Sequence, residues 1–326
     1  MTEWHARYGK PGIMIYWHTE RKSACIHSQL KTCSSSEVAA MIEGVLRHCT
    51  DMALDRQYVD SHGQSEVAFA FCHLLGFQLL PRLKAIHKQR FYRPDTEHPE
   101  AYPHLRPVLR RAINWPMIVP EYDNMVKYAT ALRLGTAETA AILRRFTGNH
   151  LQHPTYKALM ELGKARRTIF LCRYLRLLER RREIQEGLNV VENWHSANDF
   201  ILIGKGGDIA AHRQEDQEVM MLALHLLQNA MVYINTLMIQ RVLSAPAWMG
   251  RLTAEDFRAL MPLLYGHLSP YGTFVLDMTS RLDIESPVVI FPTGDEGRRK
   301  AISTSSRAPH RTNNGAQQLT LFNPIP

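Results

Sequence analysis

Within the first ninety-five residues the apolar positions keep switching between a two-residue and a three-to-four-residue spacing. Beyond residue 100 only the longer spacing remains. Residues 13 to 31 hold two β-rich runs, Ile13-Met14-Ile15-Tyr16-Trp17 and Ala24-Cys25-Ile26-His27-Ser28, joined by the charged Glu20-Arg21-Lys22, which is the pattern of an antiparallel hairpin. Ser34 to Ser36 offer N-caps for a helix whose apolar side is Val38, Met41, Ile42, Val45, Leu46 and Cys49. A short strand, Gln57-Tyr58-Val59, runs into Asp60-Ser61-His62-Gly63. A second helix carries Val67, Phe71, Leu74 and Leu75 on one side, Gly76 stops it, and Phe77-Gln78-Leu79-Leu80 reads as a further strand. The order strand, strand, helix, strand, helix, strand predicts an α/β layer on a mixed sheet.

The rest of the chain predicts helices near 105 to 113, 121 to 147, 155 to 199 and 216 to 243. After about Asp283 the apolar periodicity fades, and residues 284 to 326 read as a disordered tail. The one long apolar run, Val219 to Leu243, is interrupted by His225, Gln228, Asn229, Asn235, Gln240 and Arg241, which argues for a buried helix and against a membrane span. The start of the chain has no signal-peptide pattern. Five cysteines without zinc spacing fit buried thiols in a reducing cytoplasm. A hydrophobic content of 45% fits a globular chain, and a net charge of +8 fits a polyanionic partner, because clustered cations gain affinity by releasing counterions from a phosphate backbone.

Several residues invite a chemical reading. Asp60 follows a strand at the point where α/β sheets present functional groups, but an Asp there can equally cap the next helix. Glu192 falls in the helix predicted for 183 to 199, beside an inward stripe of Ile184, Leu188, Val191 and His195. An inward carboxylate calls for a cation, either a metal or an arginine. Glu192 and His195 also spell the ExxH of di-iron bundles, without the second copy that such a site needs. Gly204-Lys205-Gly206-Gly207 lacks the spacing of a phosphate loop and reads as a turn. From Lys157 to Arg182 nine basic residues stand against two acidic ones, a local charge of +7. Lys164, Arg166, Arg167, Arg173, Arg176 and Arg180 are the candidates for phosphate contacts, with a solvated helix face as the alternative.

Eight stretches together resemble the replicative Tn-three family of bacterial transposases, which are DDE-type enzymes. They are Met1-Thr-Glu-Trp-His-Ala-Arg-Tyr8, Ser34-Ser-Ser-Glu-Val-Ala-Ala-Met41, Val59-Asp-Ser-His-Gly-Gln-Ser-Glu66, Gly76-Phe-Gln-Leu-Leu-Pro-Arg-Leu-Lys84, Leu188-Asn-Val-Val-Glu-Asn-Trp-His-Ser-Ala-Asn198, Asp216-Gln-Glu218, Tyr233-Ile-Asn-Thr236 and Leu268-Ser-Pro-Tyr-Gly-Thr-Phe-Val-Leu-Asp-Met278. They run collinearly over roughly residues 1 to 283. The resemblance implies an RNase H-like mixed sheet at 1–95, a large helical insertion at 96–183 and a closing part of the core with C-terminal helices at 184–283.

It further implies an Asp, Asp, Glu triad holding two divalent metals, usually Mg²⁺, with Asp60 matching the second acid and Glu192 the third. The family's first Asp lies on a strand just ahead of the segment that begins here at Met1. The expectation is therefore an incomplete metal site, a sheet without its central first strand, two exposed strand edges and an aggregation-prone chain with no activity alone. Asp208 stands where the family has Glu. The implied partners are DNA, both terminal inverted repeats and target, and a second copy in a homodimer. The implied location is the bacterial cytoplasm, on the nucleoid. Two other readings stay open: a catalytically inactive DNA-binding remnant, and an RNase H-like nuclease unrelated to transposition.

Overall fold

The computed structural model describes residues 2–5, 9–48, 50–95, 97–98, 101–109, 111–146, 152–202, 209, 211–268, 272–273, 275, 277–279 and 316–321. A small ribbon, β1 (Glu3–His5) with β2 (Lys10–Gly12), precedes the expected hairpin, β3 (Met14–Glu20) with β4 (Cys25–Lys31). Helix α1 (Glu37–Arg47) starts at Ser36, whose side chain accepts from Ala39 N as the serine cluster predicts. Then come β5 (Ala53–Val59), α2 (Glu66–Leu74), capped by Ser65, and β6 (Gln78–Pro81). Gly76 ends α2 at φ +91°, a left-handed backbone that glycine adopts without steric cost.

The helix expected at 105–113 does not form. A 3-10 turn (Pro103–Leu105) lies there, and the short β8 (Arg111–Ala112) pairs parallel with β7 (Tyr92–Arg93). After the single turn α3 (Trp115–Ile118), the span 121–147 divides into α4 (Tyr122–Leu134) and α5 (Thr139–Arg144), because Gly135 takes φ +69° and closes α4. The span 155–199 divides into α6 (Pro154–Arg176) and α7 (Leu178–Ile201) at Leu177, whose backbone is extended. Helix α8 (Gln214–Leu243), the short α9 (Pro246–Met249) and α10 (Ala254–Ala259) follow. Within the tail read as disordered, residues Ala316–Leu321 form a strand, β9.

The main sheet has the order β4-β3-β9-β5-β6. The β3–β4 and β3–β9 pairs are antiparallel, and β9–β5 and β5–β6 are parallel. The sheet is mixed, as expected. Its centre differs from the expectation: the edges of β3 and β5 that face each other are both hydrogen-bonded, to residues from the far end of the chain.

Side-chain alternation along β3 builds a core on each face. Met14 and Tyr16 join α1, α2, α6 and the start of α7, whereas Ile15 and Trp17 join the middle of α7 and α8. Residues of the helical span 96–183, such as Leu132, Leu159 and Leu171, share the first of these cores with the sheet.

Helix α8 forms where the sequence places it and puts Met221, Leu224, Met231 and Val232 in the core, but it is not buried throughout. Its buried residues include Gln217, Gln228 and Asn235, while Leu222, Leu226, Ile234, Met238 and Val242 are exposed. The polar residues bind backbone: Asn229 exchanges two 2.8 Å hydrogen bonds with Cys25, and Asn235 donates to the carbonyls of Pro262 and Leu264. By length and hydropathy α8 is the one helix among the described residues able to cross a membrane, with 28% of its apolar window buried. Cys25 and Cys72 are buried thiols as expected, Cys33 is half-buried, Cys172 is exposed, and Cys49 lies outside the described residues.

Candidate active site and nucleic-acid interface

Helix α7 is fastened across β5 by a carboxylate. Glu183 accepts from Tyr58 Oη and from Arg56, each at 2.6 Å, and pairs with Arg180 at 2.9 Å. Gly187, one turn on, faces the Tyr58 ring so closely that a Cβ there would sit 2.8 Å from it. From Tyr58 two residues of strand lead to Asp60, about 6.6 Å. From Gly187 five residues of helix lead to Glu192, about 7.5 Å.

Arg82 ties the two ends together. Its backbone N–H donates to the Val59 carbonyl at 2.9 Å, next to Asp60, and its guanidinium lies 3.7 Å from Glu192. Arg82 thus reaches both the strand end next to Asp60 and the side chain of Glu192, residues 132 positions apart in sequence. Glu192 does not face inward: its side chain is 67% exposed, and the buried positions around it are Val190, Val191 and Trp194. The helical phase puts Trp194 inside where the sequence reading had Glu192. The cation that an inward carboxylate would have needed is met at the surface by Arg82.

Asp60 is half-buried and caps a 3-10 turn, Ser61–Gly63, its carboxylate accepting from Ser61 N. The cap is to this turn, while the next helix, α2, is capped by Ser65. Among the described residues no group of three or more His, Cys, Asp or Glu side chains could hold a metal together. The neighbouring strand β9, Ala-Gln-Gln-Leu-Thr-Leu, contains no acid. Two carboxylates offer the hard oxygen donors that suit Mg²⁺, which keeps several waters when bound by one or two of them. A pair of metals needs carboxylates beyond these two.

The basic helix splits into engaged and available cations. Lys164 pairs with Glu161 and stands 5.5 Å over the Tyr92 ring, Arg167 binds Glu66 and Gln89, and Arg180 binds Glu183. Among the described residues no carboxylate pairs with Arg166, Arg173 or Arg176. Arg166, Arg173, Arg180 and His73 line one pocket over Phe69, Leu79 and Phe170. Burial, and then the Arg173 charge, lowers the Arg166 pKa, and burial with the Arg166 charge lowers that of His73. A pocket with uncompensated guanidinium charge stabilises an anion.

Sequence reasoning passed over Arg82, Glu183 and His73. Their signals were slight: Arg82 directly follows Pro81 at a strand end, and Glu183 ends a run of three arginines. The 204–207 turn and Asp208 lie outside the described residues.

A family model described as the Tn3 transposase DDE domain matches residues 1–274. The transposase for transposon Tn501 of Pseudomonas aeruginosa is 27% identical over 279 residues, covering 85% of this chain and 28% of that protein. The transposase for transposon Tn1546 of Enterococcus faecium is 27% identical over 270 residues, 83% of this chain and 27% of that protein. The transposase for transposon gamma-delta of Escherichia coli (strain K12) is 29% identical over 242 residues, 73% and 24% of the two chains. The chain thus spans about a quarter of the length of these curated relatives.

Proposed function

From the membership of this chain in the Tn3 transposase DDE domain family, we propose that it is the catalytic part of a DNA transposase, cleaving and joining strands at transposon ends. The observation that supports the reading is that Arg82, whose N–H is bound to Val59 beside Asp60, also pairs with Glu192. These two carboxylates would hold the divalent ion, Mg²⁺ in our reading, which when bound supplies Lewis-acid stabilisation of charge on phosphate oxygens. Arg82 keeps the Glu192 carboxylate turned toward the Asp60 side of the sheet. The cations of α6 without acid partners, Arg166, Arg173 and Arg176, would grip the DNA backbone. Lys164, Arg167 and Arg180 serve the fold first.

The sheet order, two antiparallel steps followed by two parallel ones, supports an RNase H-like core. The division into 1–95, 96–183 and 184–283 belongs to the same reading. It is supported by the concentration of strands in the first span and of helices in the other two. Joining two DNA ends calls for two copies, so the assembly we propose is a homodimer on nucleoid DNA in the bacterial cytoplasm.

The test is strand cleavage and joining of a DNA bearing transposon ends, with Mg²⁺, by the chain set in a transposase of its relatives' full length, since the chain alone is expected to be inactive. Activity is expected to vanish in Asp60→Ala and in Glu192→Ala. DNA binding should survive both changes, weaken in the Arg166→Gln/Arg173→Gln double variant, and fall steeply with salt. Salt-sensitive binding by a chain that never cleaves would reduce the reading to its DNA-binding half. Cleavage untouched by either alanine would refute the assignment of the acids.

A further inference from the structure

Helix α8 turns an apolar face to solvent, and the spacing along that face is the same from either end. Asp216 stands at one end and Arg241 at the other. Between them Val219, Ala223, Leu227, Ala230, Ile234 and Met238 follow one another, and all of these residues are exposed. The steps from Asp216 to Arg241 are 3, 4, 4, 3, 4, 4 and 3 residues, mirrored about the point between Gln228 and Asn229. Steps of this size keep side chains on one line of a helix, here about 37 Å long. No Asp, Glu, Lys or Arg occurs from Val219 to Gln240.

A long apolar face without charge marks a place for a partner, and the order of residues along the line selects a second copy. Laid antiparallel on itself, the line sets Asp216 opposite Arg241, Val219 opposite Met238, Ala223 opposite Ile234 and Leu227 opposite Ala230. A twofold axis repeats each of these pairs. Opposite charges then meet at both ends, and in the two inner pairs an alanine leaves room for the larger side chain facing it. The helix dipoles of the two copies oppose each other as well. A parallel arrangement would instead set Asp216 against Asp216 and Arg241 against Arg241. One helix line is smaller than the standard interface of about 800 Å² per partner, so the dimer is expected to dissociate on dilution.

We propose that two copies of this chain associate through α8, antiparallel, about a twofold axis that passes beside Gln228 and Asn229. The inference rests on the homodimer proposed for joining two DNA ends and adds where the copies meet. It requires neither DNA nor a metal.

The experiment is sedimentation equilibrium over a concentration series, without DNA, for the chain itself and for the chain set in a transposase of its relatives' full length. A monomer–dimer equilibrium is expected in both. Leu227→Glu, which brings like charges together at the middle of the line, should raise the dissociation constant at least about a hundredfold. At an exposed position it should leave the urea unfolding of the dilute monomer in place. Asp216→Arg and Arg241→Asp should each weaken the dimer about three- to tenfold, and the two changes in one chain should restore it, which loss of folding would not do. A dimer that ignores all of these changes overturns the proposal and leaves the homodimer standing. Weakening by L227E with no restoration in the doubly reversed chain overturns the antiparallel order. A dimer formed by the chain alone but absent at the relatives' full length would mean that one polypeptide covers the face, and overturns the proposal too. A chain that stays monomeric in both settings overturns the proposal and the homodimer together, and binding of that monomer to phosphatidylcholine vesicles would assign the face to lipid.

Discussion

Gly163 shows how a single missing side chain sets the distance between two helices. It lies where α6 passes the start of α2, and a Cβ there would collide with the backbone carbonyl of Glu66. In a helix interior, glycine to alanine ordinarily stabilises by up to about 1 kcal/mol. Here the backbone carbonyl cannot swing away, so overpacking decides the sign, and Gly163→Ala should destabilise by about 1–3 kcal/mol in urea denaturation. His18 supplies a second prediction at this scale. Its ring is fully buried, against His27 and 3.1 Å from the Gln29 amide nitrogen, whose N–H donates to an unprotonated ring nitrogen. Burial holds its pKa well below the usual imidazole value, and the charges of His27, His48 and Lys31 add to the effect. The unfolded chain binds this proton below about pH 6.5 and the folded chain does not. Stability is therefore full above that pH and falls below it, by about 1.4 kcal/mol per pH unit for this one group. Denaturation at pH 7.5, 6.5 and 5.5 should show the slope, and His18→Asn should flatten it by that amount. Glu20, whose carboxyl burial raises, is common to both proteins and cancels in the comparison. None of this was readable in the sequence, since a glycine and a histidine in regular elements carry no mark of what packs on them.

The elements themselves were largely legible, because their signals are local. Serine caps, the Gly76 stop and the alternation along β3 need only a few neighbouring residues to be recognised. The extent of α8 was legible too, but not which of its residues face inward, and the reason is physical. An apolar run is read as a core helix when the core is assumed to be apolar, but this helix meets exposed backbone at Cys25, Pro262 and Leu264, which demands hydrogen-bond partners. Gln217, Gln228 and Asn235 therefore turn inward beside Met221, Leu224, Met231 and Val232, while Leu222 and Leu226 turn outward. Substitutions on α8 should reverse the usual hierarchy. Leu226→Gln, at a position 73% exposed, should change stability by less than about 0.5 kcal/mol. Asn229→Ala, which strands the N–H of Cys25 and leaves its carbonyl to His225 alone, should cost about 1–3 kcal/mol. Chemical denaturation of the two variants decides the matter, and the opposite ranking would return α8 to the orientation its composition implies.

On the scale of the molecule, the sequence pointed to Asp60 and Glu192 through local motifs, but the meeting we propose for them depends on contacts far apart in the chain. It requires α7 to lie across β5, and that placement rests on Glu183, Gly187 and Tyr58, none of which carries a motif. The sheet also couples the two cores, since neighbouring residues of β3 point into opposite ones. That coupling has a measurable consequence. Trp17 and Trp194, with ring centres 6.1 Å apart, are fully buried in the α7–α8 core, while Trp4, Trp115 and Trp248 are exposed, so the change in emission on unfolding reports chiefly on that one core. Leu159 is fully buried in the other. Leu159→Ala should cost about 2–5 kcal/mol by the cavity it leaves. If the sheet transmits the loss, tryptophan emission and far-UV circular dichroism should shift to a lower denaturant midpoint together. An emission midpoint that stays in place while the helical signal moves would mean that each face melts on its own, and the end of the sheet where Asp60 and Glu192 stand would then be held only by the local bonds of Glu183 and Arg82.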